Sequence, residues 1–212
     1  LPYKIVEAPN SDAHVEIFKL IAGHLSVVVE KSNLYQQILQ EREKTQALLL
    51  NVMPARIAAR LSAGEKAVAE SFPEMSVLFA DIVAFTEVAR RFPPERVLDL
   101  LQNIFIPLDR LCGLYGVEKI KSIGDQYMVI SVPSDRDRDG YLQNLAEFAL
   151  EALSLVEGMR YPDARQVRIR MGMHTGPGVA GVIGQEKFAY DVFGDAVNVA
   201  SRMESSGEPG RI

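Results

Sequence analysis

Met75-Ser-Val-Leu-Phe-Ala-Asp-Ile-Val-Ala-Phe-Thr86 is the stretch on which the reading of the fold turns. Met75 to Ala80 is an apolar run of strand length, and it ends on an acid, Asp81. Downstream, Pro93 to Leu114 reads as a helix whose Val97, Leu100, Leu101, Ile104 and Leu108 form one stripe. Gly116 to Ser122 and Gln126 to Val132 read as two strands joined through Ile123-Gly-Asp125, a hairpin. Asp139 to Met159 is a second helix and Val167 to His174 a fourth strand. This order of strand, helix, strand, strand, helix, strand predicts an α+β domain of the ferredoxin-like type around an antiparallel sheet. Val179 to Ile183 and Phe188 to Val192 add a hairpin, and Ala196 to Glu204 a last helix.

Upstream the hydrophobic period changes. Residues 13–62 read as one long helix, interrupted or bent near Pro54, where proline removes a helical hydrogen bond. Phe18, Ile21, Leu25 and Val28 follow the three-four spacing of a coiled-coil seam, which Tyr35 and Leu39 extend. Arg42 and Gln46 then occupy that seam, and a shifted register through Leu34, Ile38, Leu48 and Val52 is about as good. Two readings stand: a solvated helix packed against something outside this stretch, or a dimeric signalling helix that changes register. The expected organisation is therefore 1–12, the end of an upstream domain with a strand at Leu1–Val6 and a turn at Pro9–Asp12; 13–62, the helix; 63–73, a polar linker; and 74–212, the compact domain.

The 212-residue chain carries a net charge of −5, which disfavours a dedicated nucleic-acid binder because such a domain normally presents a basic face. Its single cysteine, Cys112, forms no intramolecular disulfide and sits among Leu108, Leu111 and Leu114, as a buried helical thiol would. With no membrane-length apolar run and no signal-peptide layout, the expected location is cytoplasmic.

Two acids stand out. Asp81 ends the first strand and Asp125 sits in the hairpin turn; in a ferredoxin-like sheet those strands are neighbours, so the two carboxylates converge at one end. Such a pair suits magnesium or manganese, which take few protein ligands and several phosphate oxygens. In isolation, an aspartate in a Gly-Asp turn reads as a turn former and one at a strand end as a helix cap. The glycines Gly172, Gly176, Gly178, Gly181 and Gly184 lack a GxGxxG strand-to-helix context and read as tight turns.

Three ordered stretches carry a family resemblance. Phe79-Ala-Asp-Ile-Val-Ala-Phe-Thr86 resembles the first metal motif of the class III nucleotidyl cyclases, and Lys119-Ile-Lys-Ser-Ile-Gly-Asp-Gln-Tyr-Met128 the second. Phe193-Gly-Asp-Ala-Val-Asn-Val-Ala-Ser-Arg-Met-Glu-Ser205 is similar to the third. The resemblance covers residues 74–212; the preceding helix resembles the transmitter of many such cyclases, and the start of the chain resembles the end of a GAF-type sensor domain. It implies two Mg2+ or Mn2+ ions per site, held by Asp81, Asp125 and the Ile82 carbonyl, with the Ala84, Phe85 and Thr86 amides cradling phosphate. Asn198 would orient the ribose and Arg202 would stabilise charge on the transferring phosphorus; at four residues apart they share a helix face.

Lys121 and Asp191 would read the base. Adenine offers an acceptor at N1 and a donor at N6, which a lysine and a carboxylate match, although guanine's O6 and N1–H match them too. Guanylyl cyclases resemble this sequence but carry glutamate and cysteine at these positions, so the resemblance implies ATP, with cyclic AMP and pyrophosphate as products. It also implies a head-to-tail homodimer with sites at the subunit interface, controlled by an upstream sensor through the helix. A guanylyl or mixed-specificity cyclase and a non-catalytic cyclase-like regulatory module are the alternatives. Two departures stand: Ala84 replaces a usual glycine, and relatives continue past Ile212 with strands and a phosphate-contacting lysine.

Overall fold

The computed structural model describes residues 11–65, 68–133, 139–184 and 188–212, with side chains from His14 onward. Two compact units divide between Ala59 and Arg60. In the first, α1 (Ser11–Leu50) is a single helix of 40 residues, about 60 Å long at the α-helical rise. Pro54 does break the long helix: turns occupy 51–53, and a separate helix, α2 (Ala55–Ser62), follows. Both expected seams are open to solvent along α1, with Phe18, Leu25, Leu34, Tyr35 and Ile38 all exposed. The expected strand at Leu1–Val6 lies outside the described residues. Of the expected turn at Pro9–Asp12, Ser11 and Asp12 belong to α1 instead.

In the second unit the elements run β1 (Ala69–Ile82), α3 (Phe85–Arg91), α4 (Pro94–Tyr115), β2 (Glu118–Ile123), β3 (Gln126–Ser131), α5 (Gly140–Glu157), β4 (Ile169–Ile183), β5 (Ala189–Phe193) and α6 (Asp195–Ser206). The sheet order is β2-β3-β1-β4-β5, antiparallel at every pairing. Its first four members give the ferredoxin-like arrangement expected from the sequence.

Alternation along β1 sorts the core. Leu78, Ala80 and Ile82 join the cluster formed with Leu100, Ile104, Leu108 and Cys112 of α4 and Leu145, Phe148, Ala149 and Ala152 of α5. Val77 and Phe79 face the other way; α6 packs on β4 and β1, burying Ala196, Ala200 and Glu204. Covered on both faces, β1 shows no polar alternation from Met75 to Ala80, where every residue is buried.

Three expectations are corrected. The compact unit and β1 begin before Glu74: Ala69 to Phe72 pair with Gly178 to Gly181, and the register shifts between Phe72 and Met75, around Pro73. Val167–His174 and Val179–Ile183 are not two strands but parts of one long β4. The glycines between are accordingly not tight turns; of the five, Gly184 alone has positive φ. They permit close approach instead. A Cβ at Gly172 would lie 1.9 Å from the Glu204 backbone nitrogen, and one at Gly178 would lie 2.2 Å from the Met75 sulfur. Glycine at 172 therefore lets α6 lie directly on the sheet.

Candidate active site

Asp81 stands near the end of β1, directly across the register from Arg170 on β4. The Arg170 Nη2 donates to Asp81 Oδ2 at 3.3 Å, while its Nε donates to Glu204 Oε1 at 2.8 Å. Glu204 is 2% exposed, a buried carboxylate that the guanidinium neutralises. Its other oxygen accepts from Gln126 Nε2 at 3.4 Å, one residue beyond Asp125. Sequence reasoning missed Arg170 and Glu204. The available signal was a charge inside an apolar strand and another on the inward face of α6.

Asp125 occupies the second position of a two-residue hairpin loop between Ile123 and Gln126. Gly124 supplies φ of 63° at the first position, as such loops require. Asp81 is pushed up to about 6, first by burial, then by the Asp125 and Glu204 charges, with Arg170 opposing. The structure thus brings the two predicted metal carboxylates within electrostatic reach. Among the described residues no group of three or more His, Cys, Asp or Glu side chains is placed to hold a metal. A carboxylate whose proton affinity is raised by a neighbouring carboxylate fits a hard divalent cation, which would relieve that repulsion and draw its remaining ligands from water and phosphate.

Beyond Asp81 the chain turns sharply. Ala84 sits in the left-handed region at φ 62° and ψ 22° and caps α3 without a side-chain hydrogen bond. The departure from glycine is met by strain: an alanine there costs about 1 kcal/mol or more. Phe85 leans against the core cluster, whereas Thr86 is exposed. The Val83 N–H donates to the Arg168 carbonyl at 2.9 Å, and the Val83 carbonyl accepts from the Tyr161 hydroxyl at 2.7 Å. Burial pushes Tyr161 up to about 12, so it is a donor throughout the neutral range.

The base-reading candidates also meet. Lys121 Nζ donates to Asp191 Oδ2 at 2.5 Å, joining β2 to β5, strands at opposite ends of the sheet order. The sheet curls so that its edges approach there. The second Asp191 oxygen accepts from the Val192 N–H at 2.8 Å, which fixes the carboxylate. Asn198 and Arg202 lie exposed on α6, four residues apart, and their side chains make no hydrogen bond or ion pair among the described residues. No hydrogen bond or ion pair links the Lys121–Asp191 pair to Asp81 or Asp125 among the described residues.

Cys112 is a core thiol. It lies 3.4 Å from the Tyr127 hydroxyl, which donates to Asp109 Oδ1 at 2.5 Å; Lys119 donates to the same oxygen at 2.6 Å. Burial pushes the thiol up to about 11, which suppresses the nucleophilic thiolate.

Residues 67–212 match the family described as the adenylate and guanylate cyclase catalytic domain. The chain belongs to that family. An adenylate cyclase of Mycobacterium tuberculosis is 47% identical over 174 residues, which cover 81% of this chain and 39% of that protein. Retinal guanylyl cyclase 1 of Mus musculus is 40% identical over 179 residues, covering 84% of this chain and 16% of that protein. The catalytic core of a rhodopsin-guanylyl cyclase with converted specificity, crystallised with ATPalphaS, superposes with a TM-score of 0.62 at 30% identity, over 67% of this chain and 77% of that one. The chain thus spans well under half the length of these two curated relatives. No helix among the described residues is long and apolar enough to cross a membrane.

Proposed function

We propose that this cyclase domain is an adenylyl cyclase that forms cyclic AMP and pyrophosphate from ATP and works as a homodimer. The base assignment rests on the Lys121–Asp191 pair at 2.5 Å, a donor beside a fixed acceptor, taken together with the glutamate and cysteine that guanylyl cyclases carry at these positions, because hydrogen bonding alone also admits guanine. Lys121 donates to adenine N1 and Asp191 accepts from N6. The pair is partly solvated, at 35% and 21% exposure. Opening it to admit a purine edge therefore costs little, on the order of 1 kcal/mol or less.

Asp81, Asp125 and the Ile82 carbonyl hold the cations. When bound, two Mg2+ or Mn2+ ions would lower the pKa of the ribose 3′-hydroxyl and neutralise the departing pyrophosphate. Asn198 orients the ribose, and Arg202 stabilises charge on the transferring phosphoryl group as the O3′–Pα bond forms and the Pα–O bond to pyrophosphate breaks. The side chains of Asn198 and Arg202 have no partner within their own chain among the described residues, which supports a role across an interface with the carboxylates of a second copy. Exposed Phe18, Leu25 and Tyr35 on α1 suit a two-copy coil that sets the angle between the domains, driven by a sensor upstream.

A guanylyl reading has the 40% identical retinal enzyme in its favour. The test is a product assay on the full-length protein with ATP and GTP, with Mg2+ or Mn2+. Cyclic AMP as the main product supports the proposal, and cyclic GMP overturns the base assignment. Nucleotide binding with no product favours a regulatory module. Replacing the pair by glutamate and cysteine (K121E with D191C) is expected to move the preference toward GTP.

A further inference from the structure

Both peptide links flanking Val83 are gripped from the segment that leads into β4. Its N–H donates to the Arg168 carbonyl at 2.9 Å, and its carbonyl accepts from the Tyr161 hydroxyl at 2.7 Å. In a planar trans peptide the C=O and the following N–H point in opposite directions. The bond to Arg168 therefore sends the Ile82 carbonyl away from β4, toward the β3 side where the hairpin carries Asp125. The bond from Tyr161 likewise turns the Ala84 N–H away from the tyrosine.

Tyr161 is itself held in place. It is 5% exposed within the main core cluster, and its N–H and carbonyl close a tight turn with the Arg165 carbonyl at 2.8 Å and the Ala164 N–H at 2.9 Å. The Arg165 guanidinium lies over its ring, 5.5 Å from the centroid. The Val83 N–H bond to Arg168 continues the β1–β4 register one residue past Ile82, whereas the Val83 carbonyl lies outside the helical and sheet ladders and is held by Tyr161. Ala84, strained at φ 62°, would relax if the preceding carbonyl were free to rotate.

We infer that Tyr161 is a positioning residue: its hydroxyl holds the Val83 carbonyl and so steadies Val83 in the pose whose N–H bond to Arg168 aims the Ile82 carbonyl into the cation site. The inference rests on the proposed function, which puts a cation between Asp81, Asp125 and that carbonyl. Tyr161 touches neither nucleotide nor metal; it acts through one backbone link.

The test uses the full-length protein, with Mn2+ and inorganic tripolyphosphate as the binding probe, measured by calorimetry alongside cyclase kinetics. Y161F keeps the ring in the core and removes one hydrogen bond. Mn2+–tripolyphosphate affinity is expected to fall roughly two- to tenfold. The Mn2+ concentration for half-maximal rate should rise by a similar factor, with kcat at saturating Mn2+ held near wild type. Arg165→Met loosens the tyrosine from the solvent side without opening the core, and should shift Mn2+ affinity the same way by roughly twofold. Wild-type binding with neither variant shifted overturns the role of Tyr161 alone, as does a fall in kcat with unchanged Mn2+ dependence. Wild-type protein that binds no Mn2+–tripolyphosphate overturns the site reading and the inference together.

Discussion

Arg170 and Glu204 offer the sharpest energetic test of the way α6 is locked onto the sheet. Glu204 is 2% exposed and Arg170 makes its closest contact, Nε to Oε1 at 2.8 Å. Replacing Arg170 by methionine keeps much of the stem but leaves a buried carboxylate with only a long bond from Gln126 at 3.4 Å and one from Ser205 at 3.4 Å. Breaking a buried pair from one side costs roughly 3–5 kcal/mol, and the partial exposure of Arg170 argues for the lower end. At about 2–4 °C per kcal/mol for a domain of this size, R170M should lower Tm by roughly 6–12 °C. The converse variant, E204M, frees a guanidinium that still has Asp81 and solvent, so its cost should be nearer 1–2 kcal/mol by the net worth of a charged hydrogen bond. The double variant, R170M with E204M, removes both charges and should recover much of the R170M loss. The assay is a thermal and urea double-mutant cycle on protein stripped of divalent ions. If R170M loses less than about 1 kcal/mol, or if the two losses simply add, the pair does not hold α6 as described.

Asp81 contributes instability. Its carboxyl is pushed up to about 6, above the ordinary aspartate value of about 4, so the native state binds more protons than the unfolded chain between those pH values, and stability falls as pH rises through that window. D81N in chelator should therefore flatten the dependence between pH 4 and 6 and raise Tm at neutral pH, even as it abolishes turnover; a D81N protein less stable than wild type at pH 7 would contradict the electrostatics. Cys112, with its thiol pushed up to about 11 and its side chain buried, should resist iodoacetamide at pH 8 until the domain unfolds. Rapid modification of native protein, followed by mass spectrometry, would show that the Cys112–Tyr127 contact is open.

Much of the fold was legible because its strands declare themselves locally. Met75 to Ala80 and Gln126 to Ser131 are apolar runs, and Gly124-Asp125 is a turn with a mechanism. The first arm of β1 was not, because Glu70, Ser71 and Pro73 look like linker; its partner is the Gly178–Gly181 arm of β4, where Val179–Ile183 reads as a strand of a separate hairpin and the glycines as tight turns. Those glycines serve interelement distance, as at Gly172 under Glu204, and no local pattern reveals that. At the candidate site, the approach of Asp81 and Asp125 was legible from their positions at a strand end and a hairpin turn. Lys121 and Asp191, 70 residues apart, became a pair only through the family resemblance. Arg170 and Glu204, 34 residues apart, left only a faint signal, a charge within a strand and a charge in line with Ala196 and Ala200, because each reads as solvated until tertiary packing buries it.

The composite dimer site is tested most directly by complementation between two dead chains. In a heterodimer, D81N on one chain and R202A on its partner remove the metal half and the transition-state half of the same site, and the second site keeps both halves. Co-expressed, random pairing should give heterodimers with one intact site, restoring about a quarter of wild-type cyclic AMP synthesis from ATP. Activity no greater than that of either variant alone would contradict a site shared between two copies.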